Sequence, residues 1–182
     1  MAMSNKLIFQ FSNKKTDGDQ AMSDLLGSKG ANLAEMSKIG INVPPGFTIT
    51  TEVCNYFIEN KEMPKNFDKE LKASLKKLEE YSGKKFGNSD NPLLLSVRSG
   101  GKISMPGMMD SILNIGLNDE NVEHLSEVFN DEKFALDSYR RLIQMYGNVV
   151  LGIEHTRFEA VLNNKKRIDN IDSDSDFNPQ QL

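Results

Sequence analysis

A cationic side chain at the end of an apolar run, followed by a loop rich in glycine, is a residue set suited to holding an oxyanion. Leu93-Leu94-Leu95-Ser96-Val97 is such a run, bounded by Pro92 and Arg98, and it reads as a buried strand that ends in the arginine. Ser99-Gly100-Gly101-Lys102-Ile103-Ser104-Met105-Pro106-Gly107-Met108-Met109-Asp110 follows. Gly100, Gly101 and Gly107 would let backbone N–H groups come close to an anion. Arg98 offers a planar fork of donors for phosphate oxygens, and Lys102 adds a point charge. Met105, Met108 and Met109 need something to pack on, either a core edge or the flat apolar face of a ligand. The plainer alternative is an ordinary turn, with Arg98 paired to a structural carboxylate.

A second candidate is Leu25-Leu26-Gly27-Ser28-Lys29-Gly30-Ala31-Asn32-Leu33, where glycines flank Lys29 as a helical pattern opens. Helix N-termini favour anions. Neither stretch is a Walker A loop. Gly101-Lys102 has Ser96 where the earlier glycine belongs and Ile103 where Ser or Thr belongs, and Gly83-Lys84 is followed by Lys85. His124 and His155 have no metal or triad spacing and read as surface residues. No acidic pair stands out as a magnesium site. Cys54, the single cysteine, excludes an internal disulfide and reads as a small buried hydrophobe.

These residues must be positioned by regular elements. Residues 7–11 read as a strand, and a helix opens at Gly27 with Leu33, Met36 and Ile39 on one side and ends at Gly40. Val43-Pro44-Pro45-Gly46 is a turn before a strand at residues 47–50, and a helix over 51–60 turns Val53, Phe57 and Ile58 inward. Residues 68–81 form an amphipathic helix, with Leu71, Leu75 and Leu78 on one face and Lys69, Lys72, Lys76, Lys77, Glu79 and Glu80 on a solvated one. Residues 111–115 suggest another strand. Helical patterns follow from Asp119, over 134–150 and at about 156–162. The class is therefore α+β. A boundary near Gly116 separates an α/β lobe, residues 1–116, from a helical lobe, residues 117–182.

The 182 residues carry a net charge of −4, which argues against nucleic acid or an anionic membrane as partner. No apolar run is long enough to span a membrane, and nothing resembles a signal peptide, so a soluble cytoplasmic protein is expected. Residues 172–182 place N-cap residues, then Pro179, then helix formers, as if a helix were starting where the sequence stops. That pattern suggests a cut from a longer protein, with a disordered tail as the alternative.

The run from Val97 to Asp119 closely resembles a signature of the pyruvate, phosphate dikinases. So do Leu26-Gly27-Ser28-Lys29-Gly30-Ala31-Asn32-Leu33-Ala34-Glu35-Met36, Val43-Pro44-Pro45-Gly46-Phe47-Thr48-Ile49-Thr50 and Asp137-Ser138-Tyr139-Arg140-Arg141-Leu142-Ile143-Gln144-Met145-Tyr146-Gly147. The four matches are collinear and correctly spaced.

The resemblance implies part of an ATP-grasp domain that binds ATP with Mg²⁺, in an enzyme interconverting ATP, phosphate and pyruvate with AMP, diphosphate and phosphoenolpyruvate. It implies that Lys29 and Arg98 contact the nucleotide phosphates, Arg98 as the catalytic cation. It also implies that the loop from Gly100 to Gly107 (with Gly101, Lys102, Ser104 and Met105) closes over them and that Arg141 serves the phosphate side. Ser28 stands where the family usually has a second glycine, a small change. Magnesium ligands, the swivelling phosphohistidine domain that receives the phosphoryl group, and the pyruvate-binding barrel would lie outside this sequence. This stretch alone would then be inactive, and its parent would be a homodimer. The nearest rival, phosphoenolpyruvate synthase, shares the ATP-grasp domain, but its arginine is usually followed by Ser-Ser-Ala. A non-catalytic nucleotide-binding module is the alternative from a different class.

Overall fold

The structure, a computed structural model, describes residues 4–100 and 111–182. The fold is α+β, with helices and two separate two-stranded antiparallel sheets among the described residues. The chain falls into two compact units. One is Met1–Lys84 with Ser99–Met109; the other is Lys85–Arg98 with Asp110–Leu182. This division differs from the boundary expected near Gly116. The strands just before Gly116 share a core with the helices after it, so the chain enters the second unit well upstream.

In the first unit, β1 (Ile8–Phe11) pairs with β2 (Gly46–Ile49), from Ile8 opposite Ile49 to Phe11 opposite Gly46. All four residues of β1 are buried. Glycine is needed at position 46 because the Phe11 ring lies across it: a Cβ there would sit 2.4 Å from Phe11 Cζ. Helix α1 (Ser23–Lys38) packs on this ribbon. It breaks at Gly27, whose φ of 68° and ψ of 164° suit glycine, and restarts at Ser28.

The buried face of α1 is Gly30, Ala31, Ala34 and Ser37. The apolar side of the pattern, Leu33, Met36 and Ile39, is not the buried one: Met36 and Ile39 are 38% and 64% exposed. Small residues let the helix axis approach the strands, where larger side chains would hold it away. In α2 (Thr51–Asn60) only Val53 is buried. Phe57 and Ile58 face outward and Cys54 is exposed, contrary to expectation, because this short helix is covered on one side only.

Helix α3 (Phe67–Ser82) buries Phe67, Ser74 and Leu78 and leaves its lysines in solvent. Phe67 joins Leu7, Ile8 and Val53 in one cluster. The Glu70 carboxylate accepts the Leu7 N–H at 2.9 Å, which ties α3 to the start of β1.

In the second unit, β3 (Leu95–Arg98) pairs with β4 (Ser111–Ile115) through an irregular register between Leu95 and Val97. The strand ending in Arg98 is not buried as expected. Burial falls on Pro92 and Leu93 just before it, and Val97 is 50% exposed. A two-stranded ribbon covered on one side cannot bury both faces of its strands.

Helices α4 (Val122–Phe129), α5 (Glu132–Val149) and α6 (His155–Asp169) follow. Ile112, Leu117, Val122, Leu125, Ala135 and Leu142 form the core between β4, α4 and α5. The fully buried Asn121 donates to the Gly116 carbonyl at 2.7 Å and accepts from the Asn118 N–H at 2.8 Å, which fixes the turn into α4.

Residues 172–182 form two short 3-10 turns, 174–176 and 179–181, the second beginning at Pro179. Between them Phe177 is only 1% exposed. Asp174 pairs with Arg140 and Lys166, and Lys133 donates to the Ser175 carbonyl. Among the described residues, no helix is long and apolar enough to cross a membrane.

Candidate functional site

Lys29 lies in the first turn of α1 after its restart at Gly27, half-buried. Its Nζ donates to the Ser99 carbonyl at 3.0 Å, so in the first unit Lys29 meets the residue that follows Arg98. The next residue, Gly30, touches β2. A Cβ at position 30 would lie 2.6 Å from Thr48 Cγ2 and 2.8 Å from Thr48 Oγ1. Only glycine lets this turn of α1 sit so close to the strand.

Arg98 is the last residue of β3, in the second unit. Its backbone is held by pairing with Ser111, and the residue is exposed. The structural carboxylate of the plainer reading is not seen: among the described residues no ion pair engages Arg98. Gly100 is exposed, and a Cβ there would meet open space. Gly101, Lys102, Ser104, Met105 and Gly107 lie outside the described residues.

Arg141 is on α5, which packs on β4, the partner strand of β3. Its Nε donates to Asp137 Oδ2 at 2.7 Å, and its side chain is 62% exposed. The other Asp137 oxygen, Oδ1, accepts from Arg140 Nε at 2.9 Å and Nη2 at 2.6 Å. Arg140 is itself fixed by Gln144 Oε1 at 3.2 Å. One turn of helix thus presents a carboxylate shared between two arginines, the geometry that i,i+3 and i,i+4 spacing produces. Burial pushes the Asp137 carboxyl up, but hydrogen bonds and charge from Arg140 and Arg141 outweigh it and hold the group below the usual carboxylate range.

The sequence motifs contain this arrangement, although the resemblance points to Arg141 alone of the three residues. The spacing of Asp137, Arg140 and Arg141 was the available signal. Tyr139, on the same helix, donates to Asp119 Oδ1 at 2.7 Å and so links the motif on α5 to the end of the motif that begins at Val97. That hydrogen bond, with partial burial and the Asp119 charge, raises the phenol above its ordinary value.

Neither histidine joins these groups. His124 Nδ1 lies 4.0 Å from Glu127, and the largely exposed His155 lies 3.7 Å from Glu159, each within its own helix. Among the described residues no three His, Cys, Asp or Glu side chains stand close enough to share a metal ion. Lys29, Arg98 and Arg141 carry the positive charge that phosphate oxygens attract. An apolar cavity of about 380 Å³ in the second unit, lined by Ile115, Leu117, Tyr139, Leu142, Tyr146 and Phe158 among others, includes neither Arg98 nor Arg141.

Residues 23–81 and 58–144 match the family described as pyruvate phosphate dikinase, AMP/ATP-binding domain. A pyruvate, phosphate dikinase of Rickettsia bellii is 53% identical over 178 residues, covering 97% of this chain and 20% of that protein. The chloroplastic pyruvate, phosphate dikinase 1 of Oryza sativa is 48% identical over 178 residues, covering 97% and 19%. That of Rhizobium meliloti is 48% identical over 162 residues, covering 88% and 18%. The chain spans about a fifth of the length of the curated relatives it matches. With most of its described elements inside the matched residues, the chain belongs to the pyruvate phosphate dikinase AMP/ATP-binding domain family.

Proposed function

We propose that this chain binds the phosphates of Mg·ATP as part of an ATP-grasp domain, and that it serves an enzyme interconverting ATP, phosphate and pyruvate with AMP, diphosphate and phosphoenolpyruvate. Arg98 bridges phosphate oxygens with its planar fork. Lys29 adds a second positive charge from the first turn of a helix, and Arg141 contributes on the phosphate side. Gly100, Gly101, Lys102, Ser104, Met105 and Gly107 form the loop that covers the nucleotide. Phosphoryl transfer is catalysed by positioning and charge neutralisation, which these residues supply without covalent chemistry. The phosphoryl acceptor is a histidine on a separate domain of the whole enzyme, which acts in the cytoplasm as a homodimer.

One observation carries this reading. Arg98 has a backbone fixed by strand pairing and an exposed side chain that no described carboxylate engages. A buried or paired arginine would be structural; one held out at a strand end is available to a ligand.

The test is calorimetric titration of the purified chain with Mg·ATP. Arg98→Ala should weaken binding about tenfold or more, because a hydrogen bond to a charged group contributes about 1.5–3 kcal/mol. Lys76→Ala, on the solvated face of α3, should change nothing, and Arg98→Lys should recover only part of the loss. Wild-type affinity in a folded Arg98→Ala variant refutes the phosphate clamp.

A further inference from the structure

We infer that Thr48 is a positioning residue for the nucleotide site: its side chain, set against the bare Cα of Gly30, fixes where the Lys29 ammonium stands. This rests on the proposed role of Lys29. Gly30 is helical and has no left-handed φ, so its backbone would accept alanine, the better helix former. Space is what forbids it. A Cβ at position 30 would lie 2.6 Å from Thr48 Cγ2, 2.8 Å from Oγ1 and 3.2 Å from Cβ.

Threonine is stiff about χ1 and its backbone is held in the ribbon opposite Phe9, so the strand cannot simply yield. The helix must move instead. Lys29 is the adjacent residue, only two positions after the break at Gly27, and little of α1 precedes it to resist the shift. Charge-assisted contacts depend steeply on placement, so a displacement of a few tenths of an ångström at this turn reaches the ammonium directly.

The experiment measures Mg·ATP affinity of the purified chain, well below its melting temperature. Gly30→Ala should weaken binding about tenfold, the loss of one charge-assisted contact. Thr48→Ala alone, which removes the surface this helix turn rests on, should weaken binding by about threefold, a smaller loss than overpacking produces. The double variant Gly30→Ala with Thr48→Ala, which removes the two closest atoms, should return to within about twofold of wild type. Thr48→Ile, which fills the same gap from the strand side, should reproduce the loss and serves if Gly30→Ala does not fold.

Gly46→Ala is the control for a purely structural effect. It drives a Cβ to within 2.4 Å of Phe11 elsewhere on the same strand. It should lower the melting temperature and leave the affinity of the folded protein unchanged. Wild-type affinity in both Gly30→Ala and Thr48→Ile overturns the inference, as does failure of Thr48→Ala to restore Gly30→Ala. If Lys29→Met binds as wild type, the role of Lys29 falls with it. Absence of Mg·ATP binding by the wild-type chain overturns both.

Discussion

Phe177→Ala should be among the most damaging single changes in the second unit, although the residue sits in a polar stretch close to the last residue of the chain. Its ring is 1% exposed. A buried phenylalanine withdraws roughly 150 Å² or more of apolar surface from water, worth about 4 kcal/mol at about 25 cal/mol per Å². The cavity left behind adds to that loss, while a turn-rich segment relaxes more easily than a helix and reduces it. The expected cost is about 3 kcal/mol. For a unit of this size that lowers the melting temperature by about 10–20 °C.

Urea denaturation followed by circular dichroism measures the cost. Hydrogen exchange at the Asp176 and Gln181 amides, which bond to Ser173 and Asn178, separates local release from global unfolding. Phe177→Leu should recover more than half of the loss. A cost below about 1 kcal/mol with those amides still protected refutes the burial argument.

Two further outcomes are expected. The Asp137 carboxyl is held below its usual range, so its contribution to stability is present at neutral pH and persists down to the ordinary carboxylate value of about 3.9. It is lost as pH falls through the lower folded value. Asp137→Asn should therefore cost about 1 kcal/mol or less at pH 7, Arg141 being largely exposed, and nothing in strong acid; a difference that grows on acidification contradicts the assignment. Incubated with labelled ATP, Mg²⁺, phosphate and pyruvate, the chain alone should form no phosphoenolpyruvate. It should carry no acid-labile label on His124 or His155, and near-stoichiometric label on either overturns the reading.

What could be read from the sequence followed the strength of its local signals. Helices α3 and α5 are long and strongly periodic, so their existence was legible, as was the solvated lysine face of α3. The inward face of α1 was not, because a stripe of Gly30, Ala31, Ala34 and Ser37 buries little hydrophobic mass yet decides how near the helix lies to β2. The exposure of β3 was hidden for a related reason. Three leucines read as burial, but whether a strand is buried depends on partners distant in sequence. Phe177 lay among aspartates and serines that read as the caps of a starting helix, or as a tail, and not as core. Within the candidate site, residue types and spacing drew attention to Lys29 and Arg98, and the family resemblance to Arg141. The contacts that orient them, Ser99 for Lys29 and Asp137 for Arg141, join groups whose meeting depends on tertiary structure or on one rotamer of a helix turn.

The crossing of the chain between units bears on how the protein is made. Neither unit is a continuous stretch: the second begins at Lys85, gives way at Ser99 and resumes at Asp110. On the ribosome, β3 therefore emerges before the partner strand that completes its ribbon. At about 5–20 residues per second it waits roughly a second with an unsatisfied edge, a window in which chaperones or neighbouring nascent chains compete for it. The same interleaving constrains any attempt to express the halves separately. A cut between Lys84 and Lys85 takes Ser99 away from the first unit, where its carbonyl holds Lys29, so a clean separation requires reconnecting the chain rather than shortening it.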